Sequence, residues 1–374
     1  MRTVLLTAAL FFAGACAAIG DPLTAQQTKQ IDRIAALALA KQHLSGMEIG
    51  VGRNGKVLYA QGYGLRDRAR RLPVTAQTIF PIGSITKQFT AACVMLLVSR
   101  GKVDLDARVS RYLPSAPHGR EITVRELLDQ TSGLADYLEN KPLLGAIMNG
   151  TVVSRPISSF IALVDGKPLH FKPGTKYEYS NTNYALLGML VSRVSGIPYA
   201  QFLQRNIFTP LGLHSTQYLR TTLAAGDDVT HGYNYVKGRF MLIPVLSMHW
   251  GNAAGAIASN AHDLIRWDHA YFSGKVIPLK DVHIATTPPA HVVMLASKSR
   301  ANNLGIGYAF GWVQARAEGR QMIWHNGGLP GARAMNAVFP RDGLEIIVLT
   351  NATDASPEET ALKIARLIYD GIER

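Results

Sequence analysis

The chain reads Phe80-Pro81-Ile82-Gly83-Ser84-Ile85-Thr86-Lys87-Gln88-Phe89-Thr90, a pattern that predicts a turn opening a long apolar helix that ends near Arg100. Ser84 stands at the predicted helix start, and Lys87 follows one turn later. Because residues three apart share a helix face, the Lys87 amine can reach the Ser84 hydroxyl. Backbone N–H groups at a helix start are unpaired and carry positive potential, so they can hold an oxyanion. This combination suits acyl transfer by a serine.

The Ser-x-x-Lys spacing alone is not specific, because the chain contains a second copy. Ser99-Arg100-Gly101-Lys102 matches it at the far end of the same helix, where Gly101 is typical of a C-terminal cap and the helix dipole is negative. Ser84 taken alone would be read as an ordinary N-cap. The interpretation of Ser84 therefore depends on partners elsewhere in the sequence.

The composition fits a globular protein of one large domain or two closely joined ones. The chain has 374 residues, of which 47% are hydrophobic and 17% charged. The formal net charge is +13, but lysines and arginines are scattered, with only short clusters such as residues 66–71. Nothing resembles a nucleic-acid module, so we expect no nucleic-acid partner. The charge indicates a solvated basic surface and leaves contact with an anionic cell envelope open.

Residues 1–20 have the pattern of a secretory signal peptide, with one early arginine, an apolar run over 4–13 and then small residues. We therefore expect an exported protein, periplasmic or secreted, whose catalytic part spans 21–374. Cys16 also suggests a lipoprotein anchor, which is disfavoured because Ala13 stands where a large aliphatic residue is expected. Past this segment Cys93 is the remaining cysteine, so the fold must rely on its core and not on disulfides.

Hydrophobic periodicity and turn signals predict an α/β (α+β) fold with an antiparallel sheet flanked by N- and C-terminal helices. The α/β part covers about 21–101 and 251–374, and a helical part covers about 102–250. Asn54-Gly55 and Asp342-Gly343 predict hairpin turns. The predicted helices are 22–43, 181–194, 259–272 and 356–372, and the predicted strands are 47–53, 56–63, 307–314, 320–325, 333–339 and 344–350.

Two further motifs carry side chains that suit proton transfer. Tyr179-Ser180-Asn181 places a phenol and an amide two residues apart, although alone it would be read as a turn whose Asn181 caps a helix. His325-Asn326-Gly327-Gly328 ends a predicted strand and precedes the last two strands. His249-Trp250-Gly251 has the same His-x-Gly pattern without a following strand pair. Neither motif would be informative by itself.

In this order, the three motifs resemble those of the serine β-lactamase and penicillin-binding-protein superfamily, most closely its class C branch. The resemblance covers nearly all of the chain beyond the signal segment. It is carried by residues 80–87, 127–134, 173–188, 210–213, 255–259 and 325–328. It implies a β-lactamase/transpeptidase-like fold and an exported serine hydrolase that works through an acyl-enzyme on esters, D-amino-acid peptides or β-lactams.

The resemblance also implies a role for each motif residue. Ser84 is the nucleophile, Lys87 takes its proton and Tyr179 relays a proton to the leaving group, with either of the last two open as the main base. Asn181 holds the lysine and a substrate amide, and His325 replaces the lysine of a Lys-Thr-Gly motif. The N–H groups of Ser84 and Gly328 form the oxyanion hole, and Asn326 and Gly327 bind substrate. No cofactor or metal is implied, and the expected partner is a small-molecule or peptide substrate.

Two departures from the superfamily pattern affect these expectations. Gln130 stands where histidine is frequent, which leaves a secondary contact undefined. His325 and Asn326 replace lysine and threonine. Because histidine is mostly uncharged at neutral pH, strong capture of a substrate carboxylate is not expected.

Four alternatives to this interpretation exist. An α/β-hydrolase needs Gly-x-Ser-x-Gly, which is absent from the sequence. A zinc hydrolase needs clustered ligands, and His262, Asp263, Asp268 and His269 fit a solvated helix better. The last two alternatives keep the fold but change the function. They are a β-lactamase proper and a non-catalytic penicillin- or peptidoglycan-binding relative. The sequence leaves the oligomeric state open.

Overall fold

The computed structural model describes residues 22–151, 155–223, 226, 228–290, 292 and 305–372. The predicted signal peptide and Cys16 lie outside these residues. Within them, no helix is both long and apolar enough to cross a membrane. Cys93 is a free, buried thiol in the middle of a helix.

The strands form one large antiparallel sheet and two small ones. The large sheet joins eight of the described strands in the order β3-β2-β1-β13-β12-β11-β10-β9. The strands are β1 Gly46–Arg53, β2 Lys56–Asp67, β3 Leu72–Pro73, β4 Phe80–Pro81, β5 Gln217–Tyr218, β6 Tyr233–Val236, β7 Arg239–Leu242, β8 Ile257–Ser259, β9 Gly305–Ala309, β10 Trp312–Ala317, β11 Arg320–Leu329, β12 Ala332–Phe339 and β13 Leu344–Thr350.

Helices cover both faces of the large sheet and fill the region between β4 and β9. They are α1 Ala25–Gln42, α2 Thr86–Ser99, α3 Val124–Leu128, α4 Lys141–Met148, α5 Ile157–Ile161, α6 Asn181–Ser195, α7 Tyr199–Leu203, α8 Thr209–Leu211, α9 Asn252–Gly255, α10 Ala261–Phe272, α11 Leu279–Thr286 and α12 Pro357–Ile372. The capping box at Thr123 and the N-cap at Asn260 begin α3 and α10 as local sequence rules predict.

The centre of the sheet is buried on both faces. Every residue of β1 and β13 is buried. A Cβ atom on Gly50 would lie 2.6 Å from the Cβ of Ala261, so glycine lets α10 pack directly on β1. Alternate residues of β1, such as Ile49, face the side covered by the terminal helices α1 and α12. The predicted sheet flanked by terminal helices is therefore what the structure shows.

Three of the differences between the structure and the predicted elements concern strands. The predicted strand 307–314 is two strands, because Phe310 and Gly311 adopt φ values of 42° and 84° and reverse the chain. The strand expected to stop at His325 continues to Leu329. The predicted helical part also contains the hairpin of β6 and β7, whose exposed pattern gave no core signal.

Short β-structure fixes the start of α2, the helix of the Ser84 motif. β8 pairs with both β4 and β5. The N–H of Ile82 donates to the carbonyl oxygen of Ile257 (2.9 Å), and the N–H of Ile257 donates to Oγ1 of Thr86 (3.0 Å). A 3₁₀ turn over Gly83–Ile85 then leads directly into α2. The turn that bears Ser84 is thus held from both sides.

Candidate active site

Ser84 and Lys87 meet as the helix spacing predicts. Nζ of Lys87 donates to Oγ of Ser84 at 3.1 Å. The same amine donates to Oδ1 of Asn181 (2.9 Å) and to the carbonyl oxygen of Ala254 (2.8 Å). Lys87 therefore sits among three neutral oxygen acceptors, one of which is the hydroxyl it would have to deprotonate.

The Lys87 amine is buried and forms no ion pair within the described residues. Its side chain has no solvent-exposed surface. Burial lowers the pKa of Lys87 to about 7, and the more distant carboxylate of Asp136 acts in the opposite direction. Near neutral pH a large fraction of the amine is therefore unprotonated and can accept the Ser84 proton.

Asp136 fixes the orientation of Asn181, and the sequence analysis did not single it out. Oδ2 of Asp136 accepts hydrogen bonds from the backbone N–H (3.0 Å) and from Nδ2 (2.7 Å) of Asn181. This leaves Oδ1 of Asn181 facing Lys87. The signal that could have revealed Asp136 is its capping box with Glu139, which begins the 3₁₀ turn Tyr137–Glu139.

Tyr179 lies over Lys87, with Nζ 4.7 Å from the centre of the phenol ring. Its hydroxyl is buried and has no hydrogen bond of ordinary geometry within the described chain. Burial raises the pKa of Tyr179 well above its usual value, and the neighbouring Ser84 hydroxyl lowers it by a smaller amount. The phenol therefore remains protonated at neutral pH and can hand on a proton.

Gln130 holds the segment that carries Tyr179. Its carbonyl oxygen accepts from the N–H of Glu178 (3.0 Å), and its Oε1 accepts from the N–H of Ser180 (3.0 Å). Oε1 also accepts from Nδ2 of Asn183. Gln130 itself has a φ of 59°, a left-handed conformation that is uncommon for a residue with a side chain. Gln130, whose role the sequence left undefined, therefore holds the backbone on either side of Tyr179.

His325 joins the aromatic side of the site. Its ring centre is 6.2 Å from that of Tyr179 and 5.8 Å from that of Tyr308. Nε2 lies 3.4 Å from the Tyr308 hydroxyl, and Nδ1 faces the carbonyl oxygen of Asn326. Burial, and then the nearby Lys87 charge, lower the pKa of His325 to about 3. The imidazole is therefore neutral at any ordinary pH.

The main chain at Gly327 and Gly328 touches the turn that bears Ser84. A Cβ atom on Gly327 would overlap the carbonyl oxygen of Ile82 and lie 3.3 Å from the backbone nitrogen of Ser84. A Cβ on Gly83 would lie 2.7 Å from the nitrogen of Gly328. Only glycines allow this approach. It brings together the two backbone nitrogens expected to bind an oxyanion.

Asn326 is placed differently from the expected substrate contact. Its Nδ2 donates to Oε1 of Glu358 (2.8 Å), in the first turn of α12. Successive side chains on a strand point to opposite faces, and His325 takes the face toward Tyr179. The Asn326 side chain therefore contributes to the packing of α12, which differs from the expected substrate contact, and that contact stays a prediction.

Among the residues that the structure describes, no group of potential metal ligands includes Ser84 or its hydrogen-bond partners. The sequence cluster on α10 is split, since His262 is exposed while Asp268 is buried against Asn336. Elsewhere in the described residues, Glu139, His170 and Glu178 bring ligand atoms within 4.8 Å of one another at the surface. Nδ1 of His170 already bonds to Oε1 of Glu178. This group lies outside the set of residues that contact Ser84 and Lys87.

Two curated proteins are similar to this chain in sequence over most of its length. Penicillin-binding protein 4* of Bacillus subtilis is 28% identical over 351 residues, which cover 89% of this chain and 74% of that protein. Protein flp of Staphylococcus aureus is 27% identical over 343 residues. The match covers 88% of this chain but only 64% of the length of flp.

The fold has solved counterparts. The crystal structure of D-amino acid amidase from Ochrobactrum anthropi SV3, complexed with L-phenylalanine amide, superposes with a TM-score of 0.81. The match covers 93% of this chain and 99% of the amidase at 22% identity, and so concerns the fold. The family model described as Beta-lactamase matches residues 31–370. This chain belongs to the β-lactamase family.

Proposed function

We propose that this protein is an exported serine hydrolase that cleaves small esters or amides, including those of D-amino acids, faster than it turns over β-lactams. Membership of the β-lactamase family supports the acyl-enzyme class of serine hydrolase. The observation that carries the proposal is the buried Lys87 amine, 3.1 Å from the Ser84 hydroxyl, with a pKa of about 7. Export rests on the signal-peptide pattern of residues 1–20.

Acylation follows from this geometry. Oγ of Ser84 attacks the substrate carbonyl carbon while its proton moves to the neutral amine of Lys87. The carbonyl oxygen becomes an oxyanion beside the backbone nitrogens of Ser84 and Gly328. When the bond to the leaving group breaks, the proton passes through the Tyr179 hydroxyl to the leaving oxygen or nitrogen. The products of this step are the Ser84 acyl ester and the protonated leaving group.

Deacylation uses the same groups in reverse. Water attacks the acyl ester, and its proton passes to the Tyr179–Lys87 pair. Ser84 then leaves as the hydroxyl, taking up that proton. Asn181 holds the Lys87 amine through its Oδ1, and Asp136 holds Asn181 in turn, so the two residues keep the amine in position through both steps.

The preference for esters and amides rests on His325. A β-lactam presents a carboxylate, which the superfamily's lysine at this strand position would meet with a fixed positive charge. Here the pKa of His325 is about 3, so the imidazole carries no charge when the enzyme works. Arg333 is engaged with the carbonyl oxygens of Leu329 (3.0 Å) and Ala332 (3.1 Å) and is attracted by Asp354 and Glu358. A β-lactam carboxylate would therefore find weak electrostatic support.

The test compares kcat/KM for a p-nitrophenyl ester with that for a chromogenic cephalosporin at neutral pH. The expected result is a larger value for the ester. His325→Lys is the matched variant, since it restores a cation and should raise the cephalosporin value relative to the ester. A cephalosporin value near the diffusional ceiling, about 10⁷–10⁸ M⁻¹s⁻¹, with negligible ester hydrolysis would identify a β-lactamase proper instead.

A further inference from the structure

A cavity of about 260 Å³ opens beside Ser84. This volume lies just below the range of roughly 300–1,000 Å³ found for pockets that hold drug-sized ligands, so the cavity suits a small group. Ser84, Asn181, Gly328 and Arg333 are among the residues that line it, and most of the others are apolar.

The position of the cavity indicates which part of a substrate enters it. The leaving group has to face Tyr179, because the proton reaches it through that hydroxyl. Tyr179 and His325 are not among the residues that line the cavity, whereas Ser84 and Gly328 are. A substrate carbonyl bound between Ser84 and Gly328 therefore directs its leaving group toward the tyrosine side and its acyl group into the cavity.

One wall of the cavity is the apolar face of α4. Leu144, Ile147 and Met148 are spaced three and four residues apart and so share one side of the helix. Ile147 is buried, but Leu144 is 43% exposed and Met148 47% exposed. A ligand that covers such exposed apolar side chains removes their surface from water, which makes the free energy of binding more favourable. Leu138 and Trp250 extend the same apolar surface.

The residues that line the cavity offer no carboxylate to a cationic ligand. None of the residues lining it, all of which lie in the described part of the chain, is an aspartate or glutamate. The charged side chain in the lining is Arg333, whose Nη1 is already held by the carbonyl oxygens of Leu329 and Ala332. An ammonium group in the cavity would lose water without gaining an anionic partner.

We propose that this cavity is the acyl-group pocket and that it selects neutral, apolar acyl groups and rejects a free ammonium next to the scissile carbonyl. The inference rests on the proposed function and narrows its substrate class. Esters and amides of short aliphatic or aryl-substituted acids fit, as do peptides in which the amine of the acyl residue is itself acylated. Free amino-acid amides do not fit.

The test is a matched pair of p-nitroanilides at pH 7, one of isobutyric acid and one of D-alanine. The two acyl groups differ by a methyl in place of an ammonium. The isobutyryl compound should have the larger kcat/KM, by on the order of hundredfold, because the ammonium is desolvated without a partner. Both anilides are also measured as inhibitors of p-nitrophenyl acetate hydrolysis, so that slow turnover does not hide the comparison.

Variants of the α4 wall sharpen the assignment. The quantity measured is the ratio of kcat/KM for the D-alanyl anilide to kcat/KM for the isobutyryl anilide. This ratio should be at least tenfold higher in Leu144→Asp than in Leu144→Asn, which has the same size without the charge. Leu37→Asp, on an exposed leucine of α1, is the control and should not change the ratio. Equal ratios in the Asp and Asn variants would overturn the pocket assignment.

Failure of this inference can be told apart from failure of the proposed function. If the wild type hydrolyses p-nitrophenyl acetate and Ser84→Ala does not, the hydrolase stands. A D-alanyl anilide that then binds or reacts as well as the isobutyryl one, or a succinyl anilide that exceeds both, would overturn only the pocket chemistry. Absence of any Ser84-dependent hydrolysis would instead contradict the function itself.

Discussion

Lys87 and Gln88 are neighbours on α2, and each belongs to a different buried polar cluster. The two clusters have different roles. Lys87 contacts Ser84 and Asn181 beside an open cavity. Oε1 of Gln88 accepts from Nε1 of Trp267 (3.4 Å) and Nδ2 of Asn336 (3.1 Å), and that Nδ2 also donates to Oδ1 of Asp268 (2.9 Å). We call Gln88, Trp267, Asp268 and Asn336 the Gln88 cluster.

The comparison shows that a perturbed pKa does not by itself mark a reactive site. Burial raises the pKa of Asp268 well above its usual value, just as it lowers that of Lys87. Within the described residues Asp268 accepts its hydrogen bond from the amide of Asn336 in the core, whereas Lys87 contacts a hydroxyl that lines the cavity. The Gln88 cluster ties α2 and α10 to β12, so its role is to fix packing. A reactive site needs a nucleophile and a cavity for substrate in addition to a group with a shifted pKa.

The largest expected effect on activity comes from substituting Lys87 or Tyr179. Lys87→Ala and Tyr179→Phe should each lower kcat/KM for a p-nitrophenyl ester by on the order of 10³–10⁴, since residues that act as a unit fail together. The double variant should lose little more than either single variant. Losses that multiply in the double variant would show that the two side chains act independently.

The pH profile of the same reaction should follow the Lys87 amine. Lys87 must be neutral to accept a proton, and burial lowers its pKa to about 7. kcat/KM should therefore be flat above this pH and fall about tenfold per pH unit below it. Asp136→Asn removes the carboxylate that raises the pKa of Lys87, so the acid limb should move to lower pH. An unchanged limb in that variant would assign the titration to another group.

The smallest effect on chemistry is expected from the Gln88 cluster. Asn336→Ala removes the hydrogen bond to Asp268 and one of the two hydrogen bonds to Oε1 of Gln88, which should lower the free energy of unfolding by about 1–3 kcal/mol. kcat/KM should change little. Urea denaturation and ester kinetics measure the two quantities, with His262→Ala on the exposed side of α10 as the control. A large kinetic loss at unchanged stability would mean that this cluster also serves catalysis.

Local physical chemistry made much of this structure predictable. Ser84 and Lys87 meet because a helix places residues three apart on one face, and Asn54-Gly55 turns between β1 and β2 because both residues tolerate positive φ. The flanking terminal helices follow from their amphipathic pattern. The joining of the three motifs at one centre came from resemblance, since the residues lie far apart in sequence.

The parts that escaped prediction depend on distant contacts. The reversal at Gly311 is set by packing, because a Cβ there would lie 2.8 Å from the backbone of Lys87. Asp136 matters through Asn181, which is 45 residues away in sequence. The side chain of Asn326 is held by Glu358, which only the docking of α12 brings near. Such contacts leave no local pattern of their own.

The most direct test of the account is the intact mass of the protein after reaction with a mechanism-based acylating agent such as a fluorophosphonate. Wild type should gain one adduct, which peptide mapping places on Ser84. Ser84→Ala should gain none. Ser99→Ala removes the serine of the second Ser-x-x-Lys copy, whose exposed hydroxyl donates to the carbonyl oxygen of Leu96, and should label like wild type. A stable adduct on Ser84→Ala would contradict the assignment of Ser84 as the nucleophile.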